Sequence, residues 1–122
     1  MQTRGIRGAI TIKTDRKKEV LDATRELLNE IFAKNPNLKK EDIASAFFTT
    51  TEDVSSAYPA LATRQMGWSA VPMICAREIP VPESLAMCIR VLIHWNTDKE
   101  QEDIKHIYLR GATKLRPDLV EK

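Results

Sequence analysis

The sequence is poor in the features that usually announce a chemistry. Its four glycines are scattered rather than gathered into a phosphate-cradling loop, and it has neither the GxSxG of a nucleophile elbow nor the HExxH of a zinc helix. Two cysteines and two histidines, none at metal-type spacing, make no metal cluster. Cys75 and Cys88 lie in apolar surroundings and read as reduced thiols of a cytoplasmic protein. No apolar run approaches the roughly 20 residues needed to cross a bilayer. The opening MQTRGIRGAI has no apolar core of the kind that secretion signals carry. A dominant charge is missing too: nineteen basic residues against seventeen acidic leave +2, which gives no electrostatic footing for binding nucleic acid or a membrane surface.

What is present is an ordinary globular pattern, long enough to bury a core, and it reads as one domain over residues 1–122. Residues 4–13 alternate as a strand, with Ile6, Gly8, Ile10 and Ile12 on one face and Gly5, Arg7, Ala9 and Thr11 on the other. Thr14 and Asp15 are placed to cap a helix whose apolar positions, from Val20 and Leu21 to Ile31 and Phe32, recur every three or four residues; Asn35-Pro36 stops it. A helical turn and a strand near 46–51 come next. YPALATRQMG reads as a short helix with Pro59 in its first turn and Gly67 past its end. Strands follow at 71–75 and over CIRVLIHW, 88–95, the latter central. Thr97 and Glu100 form a capping box for a predicted helix through Leu109, with Ile104, Ile107 and Tyr108 inward, and 112–117 reads as a last short strand. The order β-α-β-α-β-β-α-β predicts an α/β domain, an α+β arrangement on a mixed sheet.

One detail resists a purely structural account. In CIRVLIHW, Ile89, Val91, Ile93 and Trp95 share a face, while Arg90 sits on the other with Cys88, Leu92 and His94. A guanidinium stays charged and costs several kcal/mol to bury without a partner. Arg7, Arg90 and Arg116 all stand beside apolar or small residues, and Arg64 lies on the short helix. Converging, they form a bidentate receptor for carboxylates. Alternatively each makes an internal ion pair or caps carbonyls, the simpler account for Arg64 and Arg116; Arg7 and Arg90, each mid-strand, suit either. Glu78 is the obvious internal partner for Arg90, Tyr108 suits a core, and Cys75 passes for a small buried hydrophobe. His94 and His106 are isolated and read as structural or exposed.

Several segments taken together resemble a known family. RGIRGAIT, AYPA with the following TRQMGW, VPMICARE, CIRVLIHWNT and HIYLRGATKLRPDL, in this order from Arg4 to Leu119, are similar to the monofunctional AroH-class chorismate mutases. The resemblance implies a homotrimer with a barrel-like centre and active sites between subunits. It implies rearrangement of chorismate to prephenate, on the route to phenylalanine and tyrosine, with no metal or other cofactor. Arg7, Cys75, Glu78, Arg90 and Tyr108 match pocket residues from one subunit; Tyr58, Ala60 and Arg64 match the neighbour's wall; Leu115 and Arg116 match a closing C-terminal segment. By the same resemblance Arg90 serves the ether oxygen and a carboxylate, Arg7 a carboxylate, and Glu78 with Cys75 the ring hydroxyl. Two positions depart from the pattern: Tyr58 stands where phenylalanine is expected, and Leu61 where a lysine lines the entrance. A trimeric carboxylate-binding regulator and an enamine-deaminase-type enzyme of related architecture are the rival readings.

Overall fold

In the computed structural model, which describes residues 1–115, the alternation of the strand at 88–95 organises the molecule. That strand, β4 (Cys88–Thr97), is the middle of a five-stranded sheet in the order β3-β2-β4-β1-β5. Its partners are β1 (Gln2–Thr11) and β2 (Ile43–Thr50), both antiparallel to it. β3 (Met73–Arg77) runs parallel to β2, and β5 (Ile107–Leu109) parallel to β1, so the edges make a mixed sheet. The fold is the expected mixed α+β arrangement, with β4 central as predicted.

The helix α1 (Lys17–Lys34) covers one face of the sheet. Ile89, Val91, Ile93 and Trp95 of β4 join Ile6 and Ile10 of β1 and Phe48 of β2 in a core closed by this helix. Val20, Ala23, Thr24, Leu27, Leu28 and Ile31 are its fully buried residues, the stripe that three-and-four spacing predicts. At Gly8 side chains of the helix pack directly on the β1 backbone. A Cβ there would lie 2.9 Å from Ile31 Cδ1 and 3.1 Å from Val91 Cγ1, below ordinary van der Waals contact, so a larger residue would force these side chains to shift. The opposite face keeps Phe47 and Leu92 partly exposed, with Ile74 further out on β3. The short helix α2 (Ala60–Gln65) follows Pro59, and Gly67 takes the left-handed conformation (φ 83°) that ends it.

Three local expectations are corrected. Thr14 and Asp15 do not cap α1, whose N-cap is Arg16 without a side-chain bond. Asp15 instead accepts from the backbone N–H groups of Ser55 and Ser56, each at 3.0 Å, and so ties the 55–56 loop to the start of the helix. The helix predicted through Leu109 is only a 3-10 turn at Gln101–Asp103 followed by β5. The unpaired edge of β1 explains this. Gln101 pairs its side-chain amide with both the N–H and the C=O of Gly5, at 2.9 and 2.6 Å. His106 Nδ1 accepts from the Arg7 N–H at 2.9 Å, and β5 takes over at Gly8. Satisfying a row of backbone groups outweighs a local helix preference, and Glu100 is drawn off to Arg4, 3.4 Å away. Ile104, Ile107 and Tyr108 are buried as expected, though not on a helix. The strand predicted at 112–117 is, within the described residues, part of a 3-10 turn over Arg110–Lys114. Arg110 enters it in the left-handed region (φ 55°), and Gly111 donates its N–H to Thr11 Oγ1 at 3.0 Å.

Asn35 does more than stop the helix. It is fully buried. Its Nδ2 donates to Ile31 O at 2.9 Å and to Lys105 O at 3.0 Å, and its Oδ1 accepts from the Lys105 N–H at 3.0 Å. The side chain therefore joins the end of α1 to the segment that leads into β5. Asn35→Ala removes three bonds and orphans buried backbone groups, so it is expected to destabilise the protein by about 2–4 kcal/mol. The check is a urea midpoint lowered at unchanged slope and fixed protein concentration.

Candidate active site

The face opposite α1 carries a cavity of about 350 Å³ lined by Arg7, Gly8, Phe47, Thr49, Glu78, Arg90, Val91, Leu92, Tyr108 and Leu115. Five residues singled out from the sequence, Arg7, Glu78, Arg90, Tyr108 and Leu115, thus converge. Strand pairing brings them together. Arg90 lies opposite Ala9 of β1 on one side and Thr49 of β2 on the other, and Tyr108 stands beside Ala9 across the β1–β5 pair. Beneath them Ala9, Cys88, Tyr108 and Ala112 form a second small core, with Leu85 and Leu115 packed against it. Ala9, one of the small residues on the Arg7 face of β1, is part of this cluster.

Arg90 is held but not saturated. Its Nε lies 3.8 Å from Glu78 Oε2, inside ion-pair range and outside hydrogen-bond range. That Nε is buried and has no hydrogen-bond partner among the described residues. Glu78 Oε2 accepts instead from the Thr49 hydroxyl, and the Glu78 backbone N–H donates to Thr50 O at 3.0 Å. Cys88 abuts the guanidinium. Burial pushes its thiol above the ordinary range, against the pull of Arg90, so it stays neutral and adds no charge to the pair of Arg90 and Glu78. A cation with an unused, desolvated N–H beside a carboxylate is equipped to bind a ligand that carries both negative charge and a hydroxyl.

The remaining expected residues lie elsewhere on the protomer. Tyr58, Ala60, Arg64 and Cys75 line a separate cavity of about 850 Å³ with Leu61, Trp68, Met73 and Ile74. Cys75 is in register with the buried Phe48 of β2 and packs against the main core, so one protomer does not place its thiol beside Arg90. Leu61 does line this second wall, at the position where the family resemblance expects a lysine. Tyr58 is 75% exposed and Arg64 is exposed on α2. Arg116 lies outside the described residues. His94 shares a 3.0 Å hydrogen bond with Ser45 and meets the edge of Phe47. With His106 on the edge of β1, both histidines have structural tasks. Thr49 and Cys88 are the site residues that sequence reasoning missed. The signal for Thr49 is the β2–β4 register, which local patterning does not determine; that for Cys88 is the alternation that puts it on the Arg90 face of β4.

Comparison with known proteins gives consistent matches. Residues 3–119 match the family model described as chorismate mutase type I. The chain is 52% identical over 116 residues to a curated chorismate mutase AroH of Thermus thermophilus, covering 95% of each chain. It is 41% identical over 120 residues to the chorismate mutase AroH of Bacillus subtilis, covering 98% of this chain and 94% of that one. Among solved structures, a chorismate mutase from Clostridium thermocellum superposes with a TM-score of 0.87 at 47% identity, covering 90% of this chain and 97% of that one.

The geometry around Arg90 makes a statement about stability. An ion pair this long, with the arginine side chain 39% exposed, contributes on the order of 1 kcal/mol or less, and the unpartnered Nε works against it. Arg90→Met keeps the length and apolar stem of the side chain. It is expected to leave stability within about 1 kcal/mol of wild type, or to raise it. A denaturant titration showing a loss above about 3 kcal/mol would instead mark the pair as structural.

Proposed function

The chain belongs to the type I chorismate mutase family, and from that premise we propose that it rearranges chorismate to prephenate at the cavity around Arg90. The observation that carries the assignment of the site is the Arg90 guanidinium itself, fixed mid-strand with a buried Nε–H unspent in a cavity shared with Arg7, Glu78 and Tyr108. Chorismate carries two carboxylates, an ether oxygen and a ring hydroxyl, which is the ligand chemistry such a set complements. The family match and both curated relatives support the mutase over the carboxylate-sensor and enamine-deaminase-type readings.

The reaction is intramolecular: one ether C–O bond breaks as one C–C bond forms, and no proton or electron is exchanged with the protein. Two tasks are left for the side chains. The first is to hold the enolpyruvyl group folded over the ring, which removes much of the entropic part of the barrier. Arg7 and Tyr108 grip carboxylate for this purpose, and Leu115 closes the apolar side. The second is to meet the negative charge that grows on the ether oxygen as its bond lengthens. Arg90 donates there, already desolvated and oriented, so nothing need reorganise as the charge develops. Glu78 accepts from the ring hydroxyl and balances the cationic cluster.

The second cavity completes the site from a neighbouring copy. In this arrangement the protein is a homotrimer. The exposed Tyr58 and Arg64 of one subunit face the Arg90 cavity of the next, and the sheet face opposite α1, with Phe47 and Leu92, is buried at the centre. Reduced Cys75 and Cys88 suit a cytoplasmic enzyme.

Loss of the ultraviolet absorbance of chorismate, with prephenate as product, tests the activity directly. Arg90→Lys retains the charge but loses the planar fork, so a folded variant is expected to lose at least about 100-fold in kcat, as for removal of one preorganised donor to a developing oxyanion. A well-folded variant with nearly unchanged kcat sinks the role of Arg90. The shared site has its own test. Arg64→Ala and Arg90→Ala should each be nearly inactive, yet recover activity when mixed and reassembled, because some sites then contain neither change. No recovery, with subunit exchange verified by labelled protein, counts against the shared site.

A further inference from the structure

Across the β2–β4 ladder the residue paired with Arg90 is Thr49, a side chain with no part in the scheme above. Its hydroxyl donates to Glu78 Oε2. The same oxygen is the one 3.8 Å from Arg90 Nε. The Glu78 carboxylate oxygen therefore has two candidate donors, and the neutral one holds it. The stronger donor, the guanidinium, is left with a buried Nε–H and no hydrogen-bond partner among the described residues. The arrangement runs against simple pairing strength, because a charge-assisted bond between arginine and carboxylate is roughly twice as strong as a neutral one. Two constraints maintain it. The Glu78 N–H is tied to Thr50 O at 3.0 Å, and the strand register fixes Thr49 beside Arg90, so the hydroxyl meets the carboxylate from β2.

We infer that Thr49 is a positioning residue: its hydroxyl keeps the Glu78 carboxylate off Arg90, so that the Arg90 Nε–H and the remaining Glu78 lone pairs serve the bound substrate rather than each other. The inference rests on the chorismate mutase reading and adds to it a residue that touches neither a breaking nor a forming bond. Without the hydroxyl, Glu78 closes the gap to Arg90. Every turnover must then break that direct pair before the ether oxygen can be served. The arginine is needed most strongly in the transition state, so the loss falls on kcat more than on KM.

The test uses Thr49→Val, which keeps shape and strand preference, and Thr49→Ser, which keeps the hydroxyl; Thr49→Ala takes the place of the valine variant should that one not fold. For a single lost hydrogen bond to a charged group, Thr49→Val is expected to lower kcat about tenfold. KM should move by less than about threefold and the thermal midpoint should stay close to wild type, with Thr49→Ser within about threefold of wild type in kcat. In a Glu78→Gln background the valine change should cost less than about twofold more, because the carboxylate it restrains is gone. A valine variant with wild-type kcat, a serine variant as impaired as valine, or losses that multiply in the double variant each overturn the assignment. Wild-type protein that leaves chorismate unchanged overturns the reaction reading itself. Wild-type turnover with an unaffected valine variant removes Thr49 alone.

Discussion

The structure turns on the pleat of β4. A strand offers two faces to its sheet, and here α1 covers only one. Ile89, Val91, Ile93 and Trp95, which alternation sends to the covered face, are apolar and buried, and Thr97 at the end of that row is buried too. Arg90 has to stand on the other face, between β1 and β2, where backbone pairing on both sides fixes its position far more firmly than a loop could. Gly8 belongs to the same constraint: with no side chain there, Leu27 and Ile31 of the helix pack directly on β1. The tighter that contact, the less the β1–β4 pair can shift, and the better defined the site on its far side.

A guanidinium fixed this way has consequences for the groups around it. Left alone, an unpartnered buried N–H costs about 1–3 kcal/mol, a sizeable share of the roughly 5–15 kcal/mol by which domains are stable. The protein keeps that cost moderate by leaving the side chain partly exposed and placing Glu78 at ion-pair rather than hydrogen-bond distance. Cys88 stays neutral and lends no charge. A site that satisfied Arg90 completely would be more stable and less able to bind, since ligand would have to displace the internal partner first. In the proposed reaction the oriented, half-desolvated donor is the part of the barrier reduction prepared during folding.

How much of this was legible in the sequence follows from the range of the forces involved. The alternation of β1 and β4 and the buried stripe of α1 are local patterns set by burial, and they read correctly. Where a distant edge decided the conformation, local rules failed. Thr97 and Glu100 look like a helix start, but the edge of β1 draws Gln101, His106 and β5 into line. Asp15 looks like a cap, but the 55–56 loop claims its carboxylate. Arg7, Glu78, Arg90, Tyr108 and Leu115 were singled out, and one cavity gathers them. Thr49 was invisible because only strand pairing places it opposite Arg90.

The division of the expected residues between two cavities is itself informative. Arg7, Glu78, Arg90, Tyr108 and Leu115 share one; Tyr58, Ala60, Arg64 and Cys75 share the other. A single protomer does not merge the two sets without tearing Cys75 from the core, against which it packs in register with Phe48. An exposed aromatic and an exposed arginine on one cavity, and a half-open apolar sheet face beside the other, are complementary surfaces that a neighbouring copy can join without any change inside the protomer. In the proposed homotrimer, substrate then completes contacts that neither subunit makes alone. Leu61 gains a meaning in the same arrangement. An apolar residue at the mouth of a site for a dianion gives up long-range attraction there, so the capture of substrate falls to the arginines inside, above all Arg7 and Arg64, which are exposed and able to reach out before the ligand is enclosed.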